Sequence, residues 1–294
     1  MTRVPLIRLL HRFPPFMPAG RAIPVGWYYR WIVSVAPLIG RFSHHSTEQK
    51  HYIRLAMAKT HSAAKQAEIA RRNLIYRKWR VCLQVAWPNI VTCYQQWVSL
   101  EGEENLARLA KLGRGGAILL SGHSFGFSGM AVRVLAQRGY NLVRAGTGHE
   151  PGRRQRRWGK GDFQGWQYLG YDGDYWQRFR VLKQMQELLK RNAVLQIGIR
   201  GFPTGSPEQK VESVYGAFFL DRQILRLIEI LQVPVLPCFV VCDDSGRAII
   251  KIFPELAPSS KQIVSSFGSL YADYLRDFPD NANIWKRVVQ QREF

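Results

Sequence analysis

Near Gly115 the rhythm of apolar residues changes, and that change most restricts the fold. Upstream, from "TEQKHYIRLAMAKTHSAAKQAEIARRNLIYRKWRVCLQVAWPN" to "LEGEENLARLAKLG", good helix formers run with few breakers. Pro88 should end one helix near Trp87, because proline lacks an amide donor and disfavours helical backbone at the residue before it. Downstream, short apolar runs alternate with amphipathic stretches. "GGAILLSG", "YNLVRAG", "AVLQIGIR", "VPVLPCFVV" and "RAIIKIFPEL" read as strands. "FSGMAVRVLAQRG", stopped by Gly139, "DYWQRFRVLKQMQELLKRN", "FFLDRQILRLIEILQ" and "KQIVSSFGSLYADYLRDF" read as helices. Strands and helices alternating at these lengths specify an α/β fold, with a mostly parallel central sheet flanked by helices on both faces.

The first 42 residues read differently. No run reaches the roughly 18 uncharged apolar residues that would mark a transmembrane helix. The nearest, "IPVGWYYRWIVSVAPLIG", carries Arg30 and two prolines, with Trp27, Tyr28, Tyr29 and Trp31 near its start. Aromatic rings and an arginine beside an aliphatic stretch suit the bilayer interface. The competing reading is a core helix with an aromatic face. The preceding "MTRVPLIRLLHRF" has no small-residue cleavage site, so a secretory signal is not expected. We therefore divide the chain into a hydrophobic, basic membrane-associating segment, 1–42, and a single α/β domain, 43–294.

Charge narrows the partners. Against 21 Asp and Glu stand 42 Lys and Arg, a net charge of +21. Such a surface attracts anionic lipid headgroups, acidic carrier proteins, phosphorylated co-substrates or nucleic acid. No zinc-finger spacing or aromatic ribonucleoprotein pattern accompanies the charge, which places nucleic-acid binding last among these. Cys82, Cys93, Cys238 and Cys242 fit no zinc or redox spacing. Cys238 and Cys242 should share one face of a strand as buried thiols. No metal or resident cofactor is expected.

In a parallel α/β fold, ligand chemistry sits outside the carboxyl ends of the strands. Two stretches fall there. In "LLSGHSFGFSGM" the strand ends at Gly122 and His123 follows, among small residues that let a substrate approach closely. An imidazole there can act as a general base. In "IGIRGFPTGS" a strand runs into a Gly- and Pro-rich loop. Its amides can cradle a phosphate or a developing oxyanion, with Arg200 supplying charge and Thr204 and Gly205 lining the turn. "VPVLPC" places prolines in a strand-like run, which predicts an edge strand or a strand start. "RRQRRWGKG" is the densest basic cluster, and Arg153, Arg154, Arg156 and Arg157 form a candidate docking patch for phosphate or an acidic carrier. "GHSFG" has the spacing of a nucleophile elbow. His149 is the only histidine after His123, so the acid-then-histidine order of a hydrolase triad is not available.

Together these stretches resemble the bacterial lipid A biosynthesis (lauroyl/myristoyl) acyltransferase family, within the lysophospholipid acyltransferase superfamily. "VSLEGEENLARLAKLGRGGAILLSGH" is similar to that family's approach to its catalytic histidine. "FFLDRQILRLIEILQVPVLPCFVV" and "YADYLRDFPDNANIWKRV" resemble its later blocks, the second closing on a Trp-basic pair. The order and spacing of these blocks, over most of the chain, carry the resemblance.

The resemblance implies acyl transfer from an acyl-CoA or acyl carrier protein thioester to a lipid or glycolipid acceptor at the bacterial inner membrane, with the catalytic domain facing the cytoplasm. In the family the histidine belongs to an H-x4-D/E motif. His123 occupies the histidine position here and Ser128 the acidic one. In the superfamily's F-P-E-G block, Thr204 replaces the acid. A serine can fix the imidazole tautomer but stabilises imidazolium weakly. Glu150, Asp162, Asp172, Asp174 and Glu208 are loop carboxylates that could substitute. The alternative is a catalytically altered paralogue that binds acyl chains or anionic lipid as a regulatory or scaffold protein.

Overall fold

The computed structural model describes residues 25–40, 44–91, 93–111, 116–122, 125, 128–146, 166–170 and 175–291. His123, the Arg153 to Arg157 cluster, Glu150, Asp162, Asp172, Asp174 and residues 1–24 lie outside them.

Three helices come first: α1 (Val25–Gly40), α2 (His44–Met57) and α3 (Ala63–Ile90). The Ser62 side chain caps α3 by accepting from the Lys65 amide at 3.3 Å. Pro88 does not stop α3 at Trp87; the helix runs on to Ile90. A proline in the last turn removes a single helical hydrogen bond, a small loss against a helix of 28 residues.

The alternating part follows: β1 (Val98–Glu101), α4 (Glu103–Lys111), β2 (Ala117–Gly122), α5 (Ser128–Gln137), β3 (Leu142–Gly146), β4 (Trp166–Gly170), α6 (Tyr175–Lys190) and β5 (Val194–Ile199). A small excursion, β6 (Gly201–Phe202), β7 (Lys210–Val211) and β8 (Phe218–Leu220), precedes α7 (Arg222–Leu231). Then come β9 (Val235–Cys242), β10 (Ala248–Ile252), a π turn (Ile263–Phe267), α8 (Gly268–Asp277) and α9 (Trp285–Gln291). Gly139, at φ +89°, ends α5 in the left-handed conformation, as its sequence position predicts.

The main sheet has seven strands in the order β1-β10-β9-β2-β5-β3-β4. All neighbouring pairs are parallel except β9 with β10. Side chains alternate between two apolar layers. Ile118 and Leu120 enter one with α6, α7 and α8, while Ala117 and Leu119 enter the other with α1, α3 and α5. Burying each leucine or isoleucine among them contributes about 1.5–3 kcal/mol. This is the mostly parallel α/β sheet, covered on both faces, that the periodicity predicts. Cys238 and Cys242 are buried in the same layer, as their spacing requires.

Three further expectations need correction. Val98–Glu101 lies in the stretch read as helical but is a strand, paired with β10. Phe218–Leu220 is a strand, not the start of a helix: it pairs with β6 and β7, and α7 begins only after Asp221 caps it by accepting from the Gln223 amide at 2.9 Å. "VPVLPC" is a strand start, one of its two expected settings, but not an edge: β9 begins at Val235 and lies between β10 and β2. Its proline is tolerated because the antiparallel ladder ends at Cys238 opposite Ile252. Pro237 lies one residue beyond and still accepts from the Phe253 amide at 2.9 Å. In an extended strand a residue's N and O face the same neighbour, so the missing donor falls where β10 has already stopped. β4, unassigned by periodicity, adds a parallel strand beside β3.

The aromatic segment of the N-terminal region is docked. Ile32 and Ala36 of α1 are buried in the core layer. Tyr29 packs edge-on against Trp79 at 5.1 Å and its hydroxyl donates to the Asp244 carbonyl at 2.9 Å. Among the described residues no helix is long and apolar enough to cross a membrane.

Candidate functional site

The carboxyl ends of β2 and β5 are adjacent, with Gly122 in register with Ile199. His123 is the next residue along one chain and Arg200 the next along the other. The two connections then diverge. β2 leads through α5, whose Met130, Val134 and Leu135 join the layer of Ala117 and Leu119. β5 leads to α7, whose Ile224, Leu225 and Ile228 join the layer of Ile118 and Leu120. Neighbouring parallel strands whose connections leave on opposite faces open a crevice at the switch point, where doubly wound folds place ligands.

The core beneath these strand ends is aromatic. Gly122 leaves no room for a side chain, because a Cβ there would come 3.0 Å from both Phe239 and Tyr271. Phe125, buried, donates its amide to the Gly122 carbonyl at 3.1 Å and sets its ring edge-on to Tyr271 at 5.5 Å and Phe239 at 5.6 Å. Its backbone also forms an antiparallel bridge with Ala282. The loop bearing His123 is thus fixed at Gly122 and again at Phe125.

The second wall belongs to the loop after β5. The Arg200 carbonyl accepts from the Asp221 amide at 3.1 Å. A Cβ at Gly201 would come 2.5 Å from Ile284. The Gly201 carbonyl accepts from Arg287 Nη1 at 2.7 Å, and the same guanidinium lies 5.5 Å from the Phe202 ring. Burial, reinforced by the nearby Arg200 charge, lowers the Arg287 pKa, while Tyr271 and Asp221 oppose the shift. Arg200 on this loop and Arg287 bonded to the next carbonyl bring two cations to the turn that follows β5, a setting that favours a bound anion.

Thr204 and Gly205 are exposed beyond this point. Gly205 must lack a side chain, since a Cβ would be 2.6 Å from that of Phe219. The next amide, Ser206, is already used: it donates to Gln209 Oε1 at 3.0 Å, and Gln209 Nε2 donates to the Leu220 carbonyl at 2.8 Å. Ser128 is the first residue of α5. Glu208 is exposed and accepts from Ser206 Oγ at 3.4 Å.

Sequence reasoning missed two contributors. Arg287 is one, and its signal was the Trp-basic pair just before it: buried Trp285 donates Nε1 to the Ala282 carbonyl at 3.1 Å and packs edge-on against Tyr215 at 5.2 Å, fixing the start of α9. The other is a buried polar pair one layer beneath the strand ends, where Gln196 Nε2 donates to Ser121 Oγ at 2.9 Å. Ser121 is in register with Cys238, whose thiol burial pushes up to about 12. A single polar residue in an apolar strand gave no sign of a partner across strands.

Compared with known proteins, the chain matches no family model and no curated sequence.

Proposed function

We propose that the protein is a membrane-surface acyltransferase. It moves an acyl group from an acyl-CoA or acyl carrier protein thioester to a hydroxyl or amine of a lipid or glycolipid acceptor. The observation that supports this reading is the register of Gly122 with Ile199 at the switch point, the residues that precede His123 and Arg200 in sequence. His123 accepts the proton of the acceptor hydroxyl as its oxygen attacks the thioester carbonyl. The carbon–sulfur bond then breaks and the thiolate leaves, taking back a proton from the imidazolium. Arg200 and Arg287 supply positive charge for a phosphate of the acceptor or of the donor's carrier group, with Thr204 and Gly205 at the loop tip. The Arg153, Arg154, Arg156 and Arg157 cluster offers an acidic carrier protein a docking patch. The setting is the cytoplasmic face of a bacterial inner membrane, held there by the basic and aromatic N-terminal region.

A second reading is favoured by one observation. The position four intervening residues after His123 is a serine that starts a helix, where the resemblance calls for a carboxylate. A paralogue altered in this way would bind acyl chains or anionic lipid without turning them over. Thiol release from a panel of acyl thioesters, measured for wild type and His123→Ala, separates the two. Release that depends on His123 supports the enzyme. Equal background release from both sinks it in favour of the binding reading.

A further inference from the structure

Three aromatic side chains stand in solvent at one end of the molecule. Trp27 is 68% exposed, Phe179 53% and Phe202 37%. All three belong to the end where the strands β2, β5 and β9 finish. Phe202 lies in β6, directly after β5. Phe179 is near the start of α6, and α6 returns the chain to the amino end of β5 through Asn192, so its first turns lie at the carboxyl ends. Trp27 is in the first turn of α1, and its neighbours fix its height. Gly26 packs against Trp97 just before β1, and Tyr29 reaches the Asp244 carbonyl in the turn that follows β9.

Cations accompany each ring. Arg30 is exposed one turn from Trp27, Arg178 and Arg180 are exposed on either side of Phe179, and Arg287 lies over Phe202. The acid on α6 is Glu187, two turns further on and paired with Lys190 at 3.0 Å. Aromatic rings settle at the level of lipid headgroups, and neighbouring cations are drawn to anionic ones.

We infer that this aromatic and cationic rim docks the protein on an anionic lipid bilayer, with the crevice at the ends of β2 and β5 facing the membrane. The inference deepens the membrane-surface reading and rests on it only for what the crevice does. One orientation thereby brings a lipid acceptor to His123 without the chain crossing the bilayer, and it uses the folded body as well as the N-terminal region.

Flotation of the full chain with phosphatidylcholine vesicles, with and without phosphatidylglycerol, tests it. Binding should require phosphatidylglycerol. Replacing Trp27, Phe179 and Phe202 together by serine should weaken partitioning about tenfold or more, and Arg178→Ala or Arg180→Ala about fivefold each. Ile230→Ser is the control, because Ile230 is exposed in the last turn of α7 at the opposite end of the sheet. An equal loss in Ile230→Ser, or an unchanged triple variant, overturns the inference. So does a triple variant that only converts a dimer to a monomer. Hydrogen exchange on the wild-type chain needs no variant: vesicles should protect the peptides carrying Trp27, Phe179 and Phe202 and leave that carrying Ile230 unchanged, and the reverse pattern overturns it. Thioester turnover with soluble acyl-CoA and no vesicles reports on the chemistry alone. Its absence alongside rim protection would defeat the enzyme reading and leave the docking surface standing.

Discussion

The backbone of Phe125 pairs with that of Ala282, so the loop that carries His123 is tied to the C-terminal segment as well as to its own strand. The Phe125 ring is buried among Phe239, Tyr271 and Tyr274. Phe125→Ala removes a whole ring from a close-packed cluster and should cost about 3–5 kcal/mol. Urea denaturation measures that loss. Phe125→Leu should recover most of the stability, because it keeps the backbone bridge to Ala282 and refills much of the space the ring occupied.

Gly122→Ala tests the other fixed point. The added methyl would meet Phe239 and Tyr271 at 3.0 Å and Phe125 at 3.2 Å, and all three rings are buried. Overpacking of this kind costs about 1–3 kcal/mol. If the protein is the acyltransferase proposed, turnover should fall by more than the stability loss explains, since Gly122 immediately precedes His123 in sequence.

Much of this was legible in the sequence because periodicity reports burial. The runs ending at Gly122 and Ile199 are apolar on both faces, as a buried parallel strand must be, and that placed His123 and Arg200 at strand ends. What stayed hidden depends on contacts between distant residues. Nothing local marks Phe218–Leu220 as a strand, because its apolar residues continue into the helix and the partners that make it a strand are Gly201–Phe202 and Lys210–Val211. Pro237 pointed to an edge because the length of β10, which spares its missing donor, is set by a different segment. Arg287 escaped notice because its role follows from the fold bringing α9 to Gly201.

The C-terminal segment is also held by a charge network. Arg72 forms ion pairs with Asp280, at 2.5 Å, and with Asp244. Asn73 Nδ2 donates to the Asp280 carbonyl at 2.8 Å and the Ala282 carbonyl at 2.7 Å. Burial outweighs the attraction of Arg72 and leaves the Asp280 carboxyl above its ordinary value. Arg72→Met would strand that carboxylate and should destabilise the protein on the order of 3 kcal/mol. Asp280→Asn should cost less, because Arg72 keeps Asp244. Denaturant midpoints at neutral pH distinguish the two.

Alkaline pH should weaken the fold through buried thiols. Burial raises Cys238 from 9.0 to about 12 and holds Cys242 well above 9.0. A group whose folded pKa is raised contributes fully below its unfolded value and loses that contribution as pH climbs to the folded value. The window for Cys238 is therefore pH 9.0 to about 12. Each such thiol lowers stability by about 1.4 kcal/mol per pH unit inside its window. Between about pH 8 and about pH 10, Cys238→Ala should lose about 1.4 kcal/mol less than wild type in urea denaturation.

The two arginines of the turn after β5 give a prediction that needs no turnover. Arg287 lies over the Phe202 ring and bonds the carbonyl of Gly201, the residue after Arg200, at 2.7 Å. Removing one of two like charges relieves repulsion in the free protein but halves the field on a bound anion. Inorganic pyrophosphate should therefore raise the wild-type melting temperature, and Arg287→Met and Arg200→Met should each lose most of that rise. Lysine at Arg287 should restore part of it, because it keeps the charge and loses the planar fork that serves both the carbonyl and the ligand. The double variant should be little worse than either single one, since both residues act on one anion. A rise that survives in the double variant would place the anion elsewhere, with the cluster from Arg153 to Arg157 next to be tested.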